Sequence, residues 1–142
     1  MAGIVVGVDG SEQSVSALRW AAQEAKMRGS VLRVTAIFSG AILSTGYEMA
    51  TTDLSDYAAA TNMMLGAAID TVRDFGDLEG VEVTTEVLEG HAGELLISAS
   101  KESDLLVVGS RGRGGFVGLL MGSVTTYVVN HSHCPVVVVR NS

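Results

Sequence analysis

Asp104-Leu-Leu-Val-Val-Gly-Ser-Arg-Gly-Arg-Gly-Gly-Phe-Val-Gly-Leu-Leu-Met-Gly-Ser123 is the stretch on which the reading of this chain turns. Leu105 to Val108 is an uninterrupted apolar run of strand length, and a run without polar alternation belongs in a strand covered on both faces, as in a parallel sheet. Five glycines follow before Gly122, at positions 109, 112, 114, 115 and 118. Glycine lacks Cβ, permits positive φ, and lets main-chain N–H groups approach an anion that a side chain would hold off. A helix starting at Gly122 adds unpaired N–H donors and the positive end of its dipole. Strand, glycine loop and helix start together make a cradle for phosphate. Ser123 is placed to offer a hydroxyl, and Arg111 and Arg113 to offer charge. The plainer alternative is a surface loop closed by a Gly-Ser helix cap.

Outward from this stretch the chain alternates between strand and helix signals. Gly3 to Val8 reads as a strand, Asp9-Gly-Ser11 as a turn with a capping residue, and Val15, Leu18, Ala22 and Ala25 as one face of a helix that Gly29 ends. Val31 to Phe38 is a second strand, rich in β-branched residues. Ser39 to Thr52 has no period and reads as a connection. From Asp53 the longest helix runs to Gly76, with Leu65, Ala68, Val72 and Phe75 on its apolar face. Val81 to Leu88 alternates as an edge strand does. Ala92 to Glu102 is a third helix, Gly122 to Ser132 a fourth, and Pro135 to Val139 a fifth strand with proline tolerated at its start. Five strands alternating with four helices require right-handed crossovers and a doubly wound parallel sheet covered on both faces. In that architecture ligands bind at the carboxyl ends of the strands, which points to the loops after Val8, Phe38 and Val108.

The bulk composition narrows the function. A chain of 142 residues with 47% hydrophobic and 18% charged residues fits a single globular domain spanning 1–142. A net charge of −7 repels nucleic-acid phosphates, so any phosphate site is local and no nucleic-acid partner is expected. The apolar runs are far short of the roughly 20 residues a membrane span needs. A strand directly after Met1 and a lone Cys134 lead to an expectation of a cytoplasmic, reducing environment.

Two familiar phosphate motifs do not fit. Gly122-Ser123 lacks the lysine of the Walker pattern, and Gly112, Gly114 and Gly118 are spaced one residue too widely for the dinucleotide fingerprint. The spacing Gly109-x2-Gly112-x9-Gly122-Ser123 instead resembles the glycine signature of ATP-binding universal stress proteins. Val6-Gly-Val-Asp-Gly-Ser11, Gly90-His-Ala-Gly-Glu94 and Cys134-Pro-Val-Val-Val-Val139 are similar to that family as well; Ser39 to Asn62 aligns with nothing. The resemblance implies strand order 3-2-1-4-5 and a homodimer paired through the fifth strands. It also implies a site in which Asp9 lies beside the ribose or phosphates, Ile37 meets the adenine through its backbone, and Gly109 approaches the ribose. Gly112, Gly122, Ser123 and Val124 would hold the phosphates. ATP is the expected ligand, with AMP or a cyclic nucleotide as variants. Because a carboxylate facing a triphosphate is repulsive, Asp9 implies accompanying Mg²⁺ or Mn²⁺, bound through the nucleotide; its plainer role is capping the first helix.

The function these features imply is a nucleotide-dependent regulatory dimer in a stress response, signalling to a protein partner. The alternatives are a slow ATPase or phosphotransferase and a nucleotide-free interaction protein of the same fold. No His–carboxylate pair can be assigned to Ser123, so turnover is expected to be slow, and no catalytic residue is named. His131-Ser-His-Cys134 reads as a helix end rather than a metal site, and Trp20 as partial core. Met63 and Met64 read as core or interface filler. His91 either borders the ligand pocket or simply serves the start of a helix.

Overall fold

Strand signals at Val31 to Phe38, Leu105 to Val108 and Val136 to Val139 are continuous β-branched or aliphatic runs, and such runs are stable only when a sheet buries both of their faces. The computed structural model describes residues 3–39, 54–111 and 122–140. Within them the elements are β1 (Ile4–Gly7), α1 (Glu12–Arg28), β2 (Leu32–Phe38), α2 (Leu54–Asp74), β3 (Val83–Glu89), α3 (Ala92–Ser100), β4 (Leu105–Gly109), α4 (Ser123–His131) and β5 (Val136–Val139). All strands pair in parallel in the order β3-β2-β1-β4-β5, as the doubly wound reading requires. β3 lies at one edge and β5 at the other.

Side chains alternate across a strand, and this alternation splits the core into two layers. Ile4, Val6, Val34 and Val107 pack with Leu18 of α1 and Leu65 and Val72 of α2. Val5, Leu106 and Val108 pack on the opposite face with Leu96 of α3 and Val128 of α4. Helices α1 and α2 therefore cover one face of the sheet, and α3 and α4 the other.

Differences from the expected boundaries mostly have local causes. Gly3 falls just outside β1, and close packing requires glycine there, since an added Cβ would stand 2.7 Å from the Val31 carbonyl oxygen; nothing in the structure explains the boundary itself. β3 starts at Val83 because the Val81 N–H is bonded back to the Leu78 carbonyl at 3.1 Å, in a turn. Phe75 follows the last residue of α2 and leaves its apolar face: it is 59% exposed, with the Arg19 guanidinium 3.9 Å from its ring centroid. Arg19 Nε also donates to Asp77 at 2.8 Å, tying α1 to the turn after α2. Met64 packs against the core as expected, whereas Met63 is exposed. Trp20 is partly buried against the same core.

Candidate functional site

β1 feeds α1 on one face of the sheet, and its neighbour β4 leads towards α4 on the other, so the two chains diverge at the carboxyl ends of adjacent strands. A crevice must open there, and this is the switch point at which doubly wound sheets bind ligands. The turn Asp9-Gly10-Ser11 forms one wall. Asp9 Oδ1 accepts the Ser11 N–H at 2.9 Å, and Gly10 takes φ 86, a conformation that glycine adopts without strain. Ser11 is the N-cap of α1: its Oγ accepts the Ser14 N–H at 3.1 Å. Asp9 thus shapes the approach to the helix, and Ser11 carries out the capping.

The opposite wall is the foot of the glycine loop. Gly109 ends β4 against the first turn of α1, where an added Cβ would stand 2.9 Å from the Gln13 carbonyl carbon. Its carbonyl accepts from Thr125 Oγ1 at 2.7 Å. Close packing of strand on helix is therefore sufficient reason for glycine here. Ser110 donates its N–H to Val139 O at 2.8 Å and receives the Gly122 N–H on its carbonyl at 2.7 Å. The chain between them leaves and returns at one hydrogen-bonded point. Gly112 and Arg113 lie outside the described residues. Arg111 is partly exposed and forms no ion pair among the described residues.

Gly122 is the N-cap of α4 and has no side chain to close it. Its own N–H is committed to Ser110 and the first helical bond is made by Thr126, so the main-chain donors without a helical acceptor belong to Ser123, Val124 and Thr125, of which the first two residues are exposed. On the far side of β1, pairing with β2 ends at Gly7–Thr35, while β2 continues beside β3 as far as Phe38–Glu89. Beyond Thr35 the edge of β2 that faces β1 has no strand partner among the described residues, and Ile37 sits on that stretch. Thr35 itself is buried, and its Oγ1 has no hydrogen-bond partner among the described residues.

A half-open groove of about 330 Å³ runs from Ser123 and Val124 between α3 and α4, lined also by His91, Glu94 and Tyr127. His91 is the N-cap of α3, with Nδ1 accepting the Glu94 N–H at 3.2 Å. Tyr127 stands edge-on to His91, centroids 5.9 Å apart, and to His131 at 4.6 Å. Of the two roles the sequence offered for His91, the structure shows the helix cap; the residue also lines this groove. Tyr127 went unread, although its position four residues after Ser123 puts the two on one helical face.

Elsewhere, His133 N–H donates to Ser100 Oγ at 3.0 Å, and Ser132 Oγ donates to the Cys134 carbonyl at 2.7 Å, so this segment binds the end of α3 to β5. Burial pushes the Cys134 thiol above its ordinary value; the Ser132 hydroxyl pulls the other way and the Asp104 charge adds to the rise. Among the described residues no group of three or more His, Cys, Asp or Glu is placed to hold a metal ion, and no helix is long and apolar enough to cross a membrane.

The universal stress protein family model matches residues 2–140. The chain belongs to the universal stress protein family. A universal stress protein of Mycolicibacterium smegmatis is 34% identical over 140 residues, covering 97% of this chain and 48% of that protein. This chain thus spans about half the length of the curated relatives it matches. Among solved structures, a universal stress protein in complex with cAMP superposes with TM-score 0.69 at 25% identity, covering 99% of this chain and 98% of that one. The Archaeoglobus fulgidus universal stress protein in complex with dAMP gives TM-score 0.70 at 25% identity, with 98% of each chain covered.

Proposed function

We propose that this universal stress protein binds an adenine nucleotide in the crevice between β1, β2 and β4, with ATP and an accompanying Mg²⁺ or Mn²⁺ as the working ligand. The observation that carries this reading is the start of α4. Gly122 leaves the helix uncapped by any side chain, and Ser123 and Val124 are exposed at the foot of the glycine loop. Phosphate oxygens satisfy these orphan donors and meet the positive end of the helix dipole. The unpartnered stretch of β2 at Ile37 supplies main-chain groups for the edge of a base, and Asp9, across the crevice, faces the ribose and the metal-bearing phosphates. Arg111 adds positive charge that no described carboxylate neutralises. The cAMP and dAMP complexes of similar proteins support the adenine ring and one phosphate; the triphosphate is this reading's own extension.

In this reading the nucleotide state changes the loops or the dimer surface. A homodimer paired through β5 then presents that state to a protein partner in a cytoplasmic stress response. Titration calorimetry with ATP and Mg²⁺ tests it directly. Gly122 has φ −73, which any residue adopts, so Gly122→Val leaves the backbone unstrained and places a branched side chain where phosphate approaches. The wild type is expected to bind and the variant to lose binding; equal affinity of the two counts against the site. A wild type that hydrolyses its bound ATP to ADP at an appreciable rate shifts the assignment towards an ATPase.

A further inference from the structure

Helix α2 buries Leu65, Ala68, Ile69 and Val72, and an amphipathic helix of this kind ordinarily turns polar residues outward. Here the middle of the outward face is apolar instead. Ala59, Ala60, Met63, Gly66 and Ala67 recur at helical spacing and are all exposed, Met63 to 76%. Gly66 has no explanation within the chain: a Cβ built on it meets nothing within 4 Å, although glycine is a poor residue for a helix interior. A flexible thioether that stands out from the surface thus lies about one turn from a hollow. Charged residues of α2 appear only towards its two ends, Asp56 in the first turn and Asp70, Arg73 and Asp74 near the last. A contiguous exposed apolar face of this kind marks an interaction surface, where a single exposed side chain would not.

Knob and hollow complement each other under a two-fold axis. When two copies of α2 lie antiparallel and cross between Met64 and Leu65, positions equally far from that point oppose, so Met63 of each copy meets Gly66 of the other. The same operation sets Asp56 of each copy against Arg73 of the other, the one cation of the helix. A parallel arrangement would set each of these charges against its like, and would also align the two helix dipoles unfavourably. Arg73 donates to Asp70 of its own chain at 3.0 Å, but both side chains are exposed and the guanidinium has further donors for a second carboxylate. We propose that the outward face of α2 is a self-association surface, occupied by the same face of a second copy in antiparallel packing. α2 packs on β2 and β3, and β5 forms the opposite edge of the sheet, so this contact is independent of pairing through β5 and of the nucleotide site. It doubles whichever species β5 leaves.

The test is sedimentation velocity of the full chain over a range of concentrations. A contact limited to one helix face lies at the small end of specific interfaces, so the upper part of the range carries the signal. The wild type is expected to double in mass as concentration rises, whether it starts as a monomer or as a β5-paired dimer. Met63→Glu keeps a good helix former on the exposed face and is expected to weaken that step by about tenfold or more. Asp56→Arg and Arg73→Asp are each expected to weaken it as well, and the two together to restore it, with helix content checked by circular dichroism. The two positions lie about 25 Å apart along one helix, so restoration cannot come from within a chain. Absence of doubling in the wild type, undiminished association of Met63→Glu, or a double reversal that fails to recover overturns the proposal. So does a Met63→Glu chain that melts at lower temperature in dilute solution, since a segment of its own chain then covers the face.

Discussion

Gly109 and Thr35 show how single atoms set the geometry of the crevice. At Gly109 a methyl group would press on the main chain of Gln13, which cannot swing aside as a side-chain end does. Gly109→Ala is expected to destabilise by about 1–3 kcal/mol, the usual cost of overpacking, seen as a lower urea midpoint whether or not ligand is present. Thr35 presents the opposite case, a buried hydroxyl without a partner. Such a group costs free energy when left unmade, and an apolar group of the same shape removes the cost. Thr35→Val is therefore expected to raise the urea midpoint slightly. Cys134 adds a chemical prediction at this scale. Because its thiol is pushed upward by burial, thiolate is scarce at neutral pH, and iodoacetamide should label it more slowly than a free cysteine, with the rate climbing in alkaline buffer.

At the scale of elements, α1 depends on its ends. Ser11→Ala removes the acceptor for the Ser14 N–H and is expected to cost about 1 kcal/mol, read from the shift in thermal midpoint. Such signals are local, and that is why the elements were legible in the sequence. The Asp9-Gly-Ser11 turn, the apolar face of α1 closed by Gly29 at φ 64, and the unbroken run of β4 each carry their structural instruction within a few residues. What escaped depends on contacts between distant positions. The period of α2 continues through Phe75 in sequence, but the helix stops at Asp74, and Arg19, far along the chain, takes the ring from outside. The same holds for the site. The open donors of Ser123 and Val124 follow from a Gly-Ser helix start. That Gly122's own N–H is spent on Ser110, and that Tyr127 meets His91, are facts of tertiary packing that no spacing encodes.

For the whole molecule the outer edge of β5 is the salient feature, because among the described residues this strand pairs with β4 alone. Leu106 and Ser110 donate to the carbonyls of Pro135 and Val139, so alternation turns the main-chain groups of Val136 and Val138 outward. A second copy pairing through β5, as proposed, would use those groups. Val138→Pro removes one outward N–H while sparing the bonds to β4, and proline is tolerated on an edge. Sedimentation should then show a shift from dimer towards monomer with helix content retained; a wild type that sediments as a monomer rules the pairing out. The foot of the glycine loop, stapled by Gly122 to Ser110 and by Ser110 to β5, has a different kind of consequence. A segment whose two ends meet at one clasp can be lengthened at a cost of only about 0.6 kcal/mol per doubling, and the sheet beneath need not adjust. Evolution and the protein engineer alike are thus offered an exchangeable insert on an unchanging frame, so that new recognition can be tried there without renegotiating the fold.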